Sequence, residues 1–325
     1  MSYYFFVSII LYFFISWIAT ILIRKYLIHK AIMDHPNERS SHTIPTPRGG
    51  GIVVTSLILI TWCWFAYESQ NWLAFVPAIS VLGLAIISWL DDLIDLSAGK
   101  RLLLQLFAVF IGYYWIAETG SITQGLLPIW LEWIVFSLFW AGFVNFYNFM
   151  DGIDGISGVE TIAISLGLFL VANQAGLLSE LYIIGIYIGA IALGFLMVNW
   201  HPAKIFLGDV GSIPLGYLLG ALLLHLAAKG YWVSALILPA YYLCDAGLTL
   251  TKRLIKREKI WHAHKQHFYQ QATQKGFSHA KVSIAIACGN ILLVGAAYYA
   301  LFEPLYSFIF ATIVVASLLL WMRKK

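Results

Sequence analysis

The sequence predicts an all-α fold, a polytopic transmembrane helix bundle of about eleven spans, and three observations lead there. Of the 325 residues, 61% are hydrophobic and only 11% charged, where a soluble domain carries about 45–50% and about 25%. The apolar residues gather into runs close to the roughly 20 residues that cross a bilayer. The runs lack the alternating pattern of a membrane barrel, and unpaired strand edges have no hydrogen-bond partner in lipid. A mean hydropathy of +0.81 points the same way.

In chain order the runs lie at 3–23, 51–67, 72–90, 102–117, 129–147, 156–173, 181–199, 213–228, 231–250, 281–301 and 304–321. The first lacks a basic leader and a small-residue cleavage site, so it reads as a span and not as a removable signal. The fourth and eighth are the shortest. At roughly 20 residues each, the spans leave about 105 residues for loops and tails, so 1–325 reads as a single integral-membrane domain. Its longer connections are expected at 24–50, 91–101, 148–156, 200–212 and 251–280.

Charge sets the orientation. With the N-terminus outside, nineteen of the 20 Lys and Arg residues, all but Lys229, fall on the inner side. That is the bias of the positive-inside rule. It predicts a periplasmic N-terminus and a cytoplasmic C-terminus. All eight aspartates (34, 91, 92, 95, 151, 154, 209 and 245) fall on or near the same face. A net charge of +4, scattered along the chain, excludes a nucleic-acid surface. Cys63, Cys244 and Cys288 sit in apolar runs without metal or disulfide spacing and read as small core hydrophobes.

Five constellations carry polar chemistry. In WLDDLIDLSAGKR (89–101), Asp91, Asp92 and Asp95 meet water at a span end. Like charges there repel and cost desolvation, which suits a divalent cation or a cationic partner; a solvated helix end is the plainer reading. In NFYNFMDGIDG (145–155), Asn145, Asn148, Asp151 and Asp154 recur every three residues, on one slowly rotating side of a helix. Their oxygens are ligands that Mg²⁺ prefers; helix capping would need only one or two of them. In HPAKIFLGDVGS (201–212), Gly208, Asp209, Gly211 and Ser212 precede an apolar run, either as an N-cap or as a phosphate-facing helix start, with Asp209 a candidate metal ligand.

The fourth is KREKIWHAHKQHFYQQ (256–271). His262, His264 and His267 are not at the i,i+4 spacing of a zinc protease. Their basic setting suits a polyanion, or anionic lipid. In PNERSSHTIPTPRGGG (36–51), Arg48 offers a phosphate-capable fork, and three glycines allow close backbone approach, unless the segment is simply a flexible loop. Asp245 reads as a partner of Lys252 or Arg253. Carboxylates, glycine turns, histidines and a basic loop on one face point to metal-assisted chemistry on a phosphate-bearing, lipid-linked substrate.

In this order, DDLIDLSAGKR, NFYNFMDGIDG, IFLGDVGS and the histidine loop resemble the polyprenyl-phosphate N-acetylhexosamine-1-phosphate transferases. This glycosyltransferase family 4 group also contains phospho-N-acetylmuramoyl-pentapeptide transferase. PNERSSHTIPTPRGGG and IWHAHKQHFYQ look most like the branch that initiates O-antigen lipopolysaccharide. The resemblance spans about residues 30–280. It implies transfer of a sugar 1-phosphate from a UDP-N-acetyl-sugar to undecaprenyl phosphate, with release of UMP and with Mg²⁺, or alternatively Mn²⁺, as cofactor. It implies catalytic roles for Asp91, Asp92, Asp154, His264 and His267, with Asp91 as base or phosphate-positioning group. Asp209, Asn148 and Asp151 become metal ligands. Arg48, Lys100, Asn145, Phe206 and Gly208 become substrate contacts, with Phe206 and Gly208 at the uridine.

The resemblance also implies a bacterial cytoplasmic (inner) membrane location with a cytoplasm-facing site. The histidine loop departs from the HHH run of the peptidoglycan branch, which points away from a muramoyl-pentapeptide donor. The favoured sugars are N-acetylglucosamine and 6-deoxy N-acetylhexosamines such as N-acetylfucosamine. Two other classes compete. A lipid-linked-sugar transporter or flippase would place its site near the bilayer midplane and release no UMP. A non-catalytic scaffold would not need intact aspartate sets.

Overall fold

Ten helices among the described residues are long and apolar enough to cross a membrane. The computed structural model describes residues 3–36, 41, 44–94, 96–177, 180–259 and 264–324. Arg39, Asp95 and His262 lie outside these residues, as do the side chains at 92–94 and 180, so Asp92 is placed by its backbone alone. The chain runs α1 (Tyr3–His29), β1 (Met33–Asp34), β2 (Thr46–Pro47), α2 (Gly51–Glu68), α3 (Phe75–Ile94), α4 (Ala98–Ala117), α5 (Ile129–Met150) and α6 (Ile156–Gln174). It continues through α7 (Glu180–Asn199), α8 (Asp209–Ala228), α9 (Trp232–Ile237), α10 (Ala240–Ile255), α11 (Phe268–Gln274), α12 (His279–Tyr299) and α13 (Pro304–Arg323). The two strands pair antiparallel, Met33 opposite Pro47.

The segment expected as one span at 231–250 is broken into α9 and α10 at Leu238–Pro239. Proline brings no N–H and its ring clashes with the preceding turn. The pair still carries the chain from one end of the bundle to the other. Ser234 Oγ donates to Ala297 O (2.7 Å) near the end of α12, while Asp245 on α10 accepts from the Phe268 N–H (2.9 Å), just before α12 begins.

α8 is the central post and is almost wholly buried. It begins at Asp209, four residues ahead of the run read from hydropathy. In lipid, helices associate through close packing and hydrogen bonds more than through hydrophobicity, and α8 uses both. A Cβ on Gly220 would lie 2.6 Å from Trp140 Cδ1 on α5, and Trp140 Nε1 donates to Tyr217 O (2.9 Å). On the opposite flank Asn290 Nδ2 of α12 donates to the buried Glu160 of α6 (2.7 Å). Cys63 and Cys244 are half-buried and pack against the core, as expected. Cys288 is exposed, which corrects the expectation for that residue, since an outward apolar side chain costs nothing in lipid.

The loops segregate by charge. At one end Arg24 Nε donates to Lys204 O (3.0 Å) and Lys275 Nζ to Arg323 O (2.6 Å). At the other, Lys229 Nζ reaches Thr119 O (3.5 Å), and the buried Glu132 carboxylate accepts from Thr123 N (2.8 Å) and Ser121 Oγ (2.7 Å). The described residues of the polar motifs fold at the first end.

Candidate active site

Two glycine-bearing segments far apart in sequence, 48–51 and 206–212, fold against each other. Phe206 N donates to Pro47 O (2.8 Å), Phe206 O accepts from the N–H groups of Gly49 (3.2 Å) and Gly50 (2.9 Å), and Leu207 O accepts from Gly51 (2.9 Å). These bonds absorb the donors at the start of α2. The glycines after Arg48, expected to allow close backbone approach, admit the partner segment. A Cβ on Gly211 would lie 2.6 Å from Gly51 Cα, and a Cβ on Gly51 would overlap the Gly211 backbone. Gly208, at φ +74° before α8, takes a conformation that L side chains rarely adopt. The pairing sets Arg48 on Asp209, with Nη2 2.6 Å from Oδ1.

A second arginine completes the chain of charge. Arg101 Nη1 lies 2.9 Å from Asp91 Oδ2 and 3.8 Å from Asp209 Oδ2, and Asp91 Oδ1 accepts from the Leu96 N–H (2.7 Å). The sequence reading favoured Lys100. Its side chain is exposed, and the neighbouring Arg101 is the one that faces the acids. Asn148 Oδ1 accepts from Ser212 Oγ (2.7 Å) in the first turn of α8, and Asp151 Oδ1 from Ser157 Oγ (2.6 Å). Asn145 donates to Gln105 Oε1 (2.6 Å), and Gln105 shares a small cleft with Asp91, Arg101 and Ser88.

Burial pushes the Asp151 carboxyl up to about 6, with the nearby Asp209 charge adding to it and Ser157 and Arg48 partly offsetting it. Asp151, Asp209 and Asn148 present oxygen donors, the kind Mg²⁺ prefers, and a divalent ion would relieve the repulsion between the two acids. The residues fit such an ion. A divalent cation held there would compete with protons for Asp151, so its binding would weaken as the pH falls through 6. Mn²⁺ affinity of the substrate-free protein, followed by electron paramagnetic resonance, is expected to fall about tenfold per pH unit below 6. In Asp151→Asn binding is weak and that slope is gone. An unchanged slope in the variant would remove Asp151 from the ion site.

Asp154 takes a different place. The three-residue recurrence was expected to keep it on one helix side with Asn145, Asn148 and Asp151, but α5 ends at Met150 and the chain turns away. Asp154 Oδ2 lies 2.6 Å from His201 Nδ1 and accepts from the Ala203 N–H (3.1 Å), while Oδ1 lies 3.2 Å from His279 Nδ1. Burial alone would raise this carboxyl, but the hydrogen bonds from His279 and His201 hold it below its ordinary value. Beside it the Gly155 N–H donates to Asn199 Oδ1 (3.0 Å). His201, His279 and Asn199 were missed in the sequence, because none sits in a run of chemically similar residues.

Asp245 organises the histidine loop and does not pair with Lys252 or Arg253 as expected. It accepts from the N–H groups of Phe268 (2.9 Å) and Tyr269 (3.1 Å) and from Tyr241 Oη (3.1 Å), and lies 3.2 Å from His267 Nδ1. Arg253 instead reaches Glu258 (2.9 Å). His267 stacks between His264 (centroids 4.8 Å) and Tyr269 (5.8 Å). Its buried Nε2 has no hydrogen bond among the described residues. Burial, with His267 and Arg253 nearby, lowers the His264 imidazole to about 4, so in the free protein it is a neutral donor. Tyr269 Oη donates to Phe149 O (2.9 Å), which fastens the loop beside Asp151. Asp245→Ala strands two buried N–H groups at about 1–3 kcal/mol each. Hydrogen exchange at Phe268 and Tyr269 should accelerate at least tenfold. Exchange at the parent rate would contradict the anchoring role.

Comparison with known proteins matches residues 72–227 to a family described as glycosyl transferase family 4. A Bacillus subtilis (strain 168) protein, a probable undecaprenyl-phosphate N-acetylglucosaminyl 1-phosphate transferase, is 26% identical over 322 residues, covering 94% of this chain and 83% of that protein. The phospho-N-acetylmuramoyl-pentapeptide-transferase of Streptococcus pyogenes serotype M12 (strain MGAS2096) is 30% identical over 233 residues, covering 66% of this chain and 68% of that protein.

Proposed function

The chain belongs to glycosyl transferase family 4, and on that footing we propose that it transfers a sugar 1-phosphate from a UDP-N-acetylhexosamine to undecaprenyl phosphate, releasing UMP. The observation that carries this reading is the run Asp91–Arg101–Asp209–Arg48, with Asp151 and Asn148 beside it, at one end of a membrane bundle. The histidine loop closes the flank. The names of both relatives specify phospho-sugar transfer. The site end faces the cytoplasm of a bacterial inner membrane, which the concentration of basic residues there supports. The product initiates O-antigen or a related surface glycan, with N-acetylglucosamine or a 6-deoxy N-acetylhexosamine as the sugar.

A phosphate oxygen of the lipid attacks the β-phosphorus of the donor. The bond from that phosphorus to the bridging oxygen breaks, and UMP leaves with the oxygen. A phosphate monoester with a second pKa of about 6 is already largely dianionic at neutral pH. The nucleophile therefore needs orientation and charge neutralisation more than it needs a base. Asp91 acts by holding Arg101 toward the site, and Arg48 and Arg101 supply two forks suited to phosphate oxygens. His264, neutral when free, donates an N–H to the diphosphate. Asp154, with His201 and His279 against it, takes the nucleotide, and Asn199 positions the turn beside it through Gly155 and Ile205. Mg²⁺ held by Asp209, Asp151 and Asn148 would neutralise charge developing on the diphosphate.

Purified protein given Mg²⁺, undecaprenyl phosphate and a panel of UDP-N-acetyl sugars should liberate UMP with at least one of them. Failure with the whole panel would sink the enzyme reading and leave transport as the alternative.

A further inference from the structure

A groove runs between α9–α10 and α13 on a flank of the bundle and ends beside the histidine loop. Its walls are apolar, with Leu243 and Leu248 on one side and Val315 and Leu319 on the other. Two helices that do not close on each other in a bilayer leave a slot whose lining lacks dispersion partners, and a lipid chain supplies them. The charges along the groove are not random. Lys252 and Arg323 are the two charged residues that line it; both are cationic, and both sit at the end where the histidine loop lies. The Lys252 ammonium is held 4.5 Å over the Phe268 ring at the groove's mouth.

The length also selects an occupant. From Lys252 to Leu236 the groove follows α9–α10 for about 24 Å at about 1.5 Å per residue, close to one leaflet together with its headgroup region, about 20–22 Å. A chain of eleven isoprene units would leave much of its length outside. We propose that this groove binds a two-chain anionic phospholipid of the site-side leaflet, its acyl chains between α10 and α13 and its headgroup on Lys252 and Arg323. Asp245, the anchor of the histidine loop, is carried by the same helix about 100° around from the centre of the groove, so a lipid packed on α10 braces the helix that holds the loop. This inference needs the membrane bundle but not the proposed transferase reaction.

Native mass spectrometry of the detergent-extracted protein, offered equal amounts of phosphatidylglycerol and phosphatidylcholine, tests it. The parent should retain one phosphatidylglycerol with a preference of at least about tenfold, as expected for two basic residues at a headgroup site. Lys252→Gln with Arg323→Gln should bring that preference near unity. Ala316→Trp, which fills the groove, should lose the bound lipid whatever its headgroup. Should the tryptophan variant melt early, the glutamine pair, at the protein's surface, decides alone. Equal retention of the two lipids by the parent, or a preference that survives the glutamine pair, overturns the proposal. Added undecaprenyl phosphate should leave the phosphatidylglycerol in place; one-for-one displacement would assign the groove to the substrate and overturn it as well.

Discussion

Asp209→Asn lowers UMP release by about 10³-fold, about 4 kcal/mol of transition-state stabilisation, while the protein still inserts and melts close to the parent. The size of the effect follows from position. Asp209 opens the most buried helix of the bundle, receives Arg48 at 2.6 Å and stands 3.8 Å from Arg101. Asparagine keeps the shape but removes the charge that orders both arginines. It also turns an N–H₂ group toward at least one arginine and would deprive the proposed ion site of a carboxylate. Stability changes little because both arginines are partly exposed and water can take them. Wild-type-like turnover in this variant would remove Asp209 from the site, and a large loss of melting temperature would recast it as a structural residue.

Gly51→Ala should cost at least about 10²-fold in UMP release, the penalty of a misplacement near 1 Å, together with a clear loss of thermal stability. The added methyl would overlap the backbone of Gly211 and lie 2.9 Å from Leu207 O. These are main-chain atoms that cannot swing aside as a side-chain tip would. The starts of α2 and α8 must part, and Arg48 and Asp209, three and two residues from the contact, part with them. Gly83→Ala is the control. A Cβ there meets nothing within 4 Å, and alanine is the better helix residue by about 1 kcal/mol. If Gly51→Ala behaves like Gly83→Ala, the junction between the two helices does not position the site.

Much of this was legible in the amino-acid order. Hydropathy located the long helices because lipid forbids any other backbone arrangement for such runs. It misplaced the start of α8, since Asp209, Gly211 and Ser212 look like loop residues until Asn148 and Gly51 are seen to cover them. It read 231–250 as unbroken, since one proline hardly changes an average. Within the site, the motifs brought together residues that the structure also gathers at one end, as at Asp91, Asp151 and Asp209. Choosing between Lys100 and Arg101 was beyond it, because adjacent helical residues point about 100° apart and only the position of α8 decides which matters. The glycines after Arg48 were read for close approach, and the structure shows the backbone of the GDVGS segment as what approaches. The Asp154–His201–His279 cluster joins three separate segments through space, and no local pattern announces it.

The pairing of Arg48 with Asp209 joins residues 161 positions apart, and this has a consequence for biogenesis. While the ribosome is still making the first seven helices, Arg48, Asp91 and Arg101 already stand at the rim of the bilayer with no Asp209 to share. The nascent chain must keep these groups hydrated, or hold them against headgroups, until the eighth helix leaves the translocon and threads between its predecessors. A truncation stopped short of that helix would therefore yield an inserted shell without Asp209, and arrival of its first turn joins Arg48 and Arg101 before the histidine loop is made.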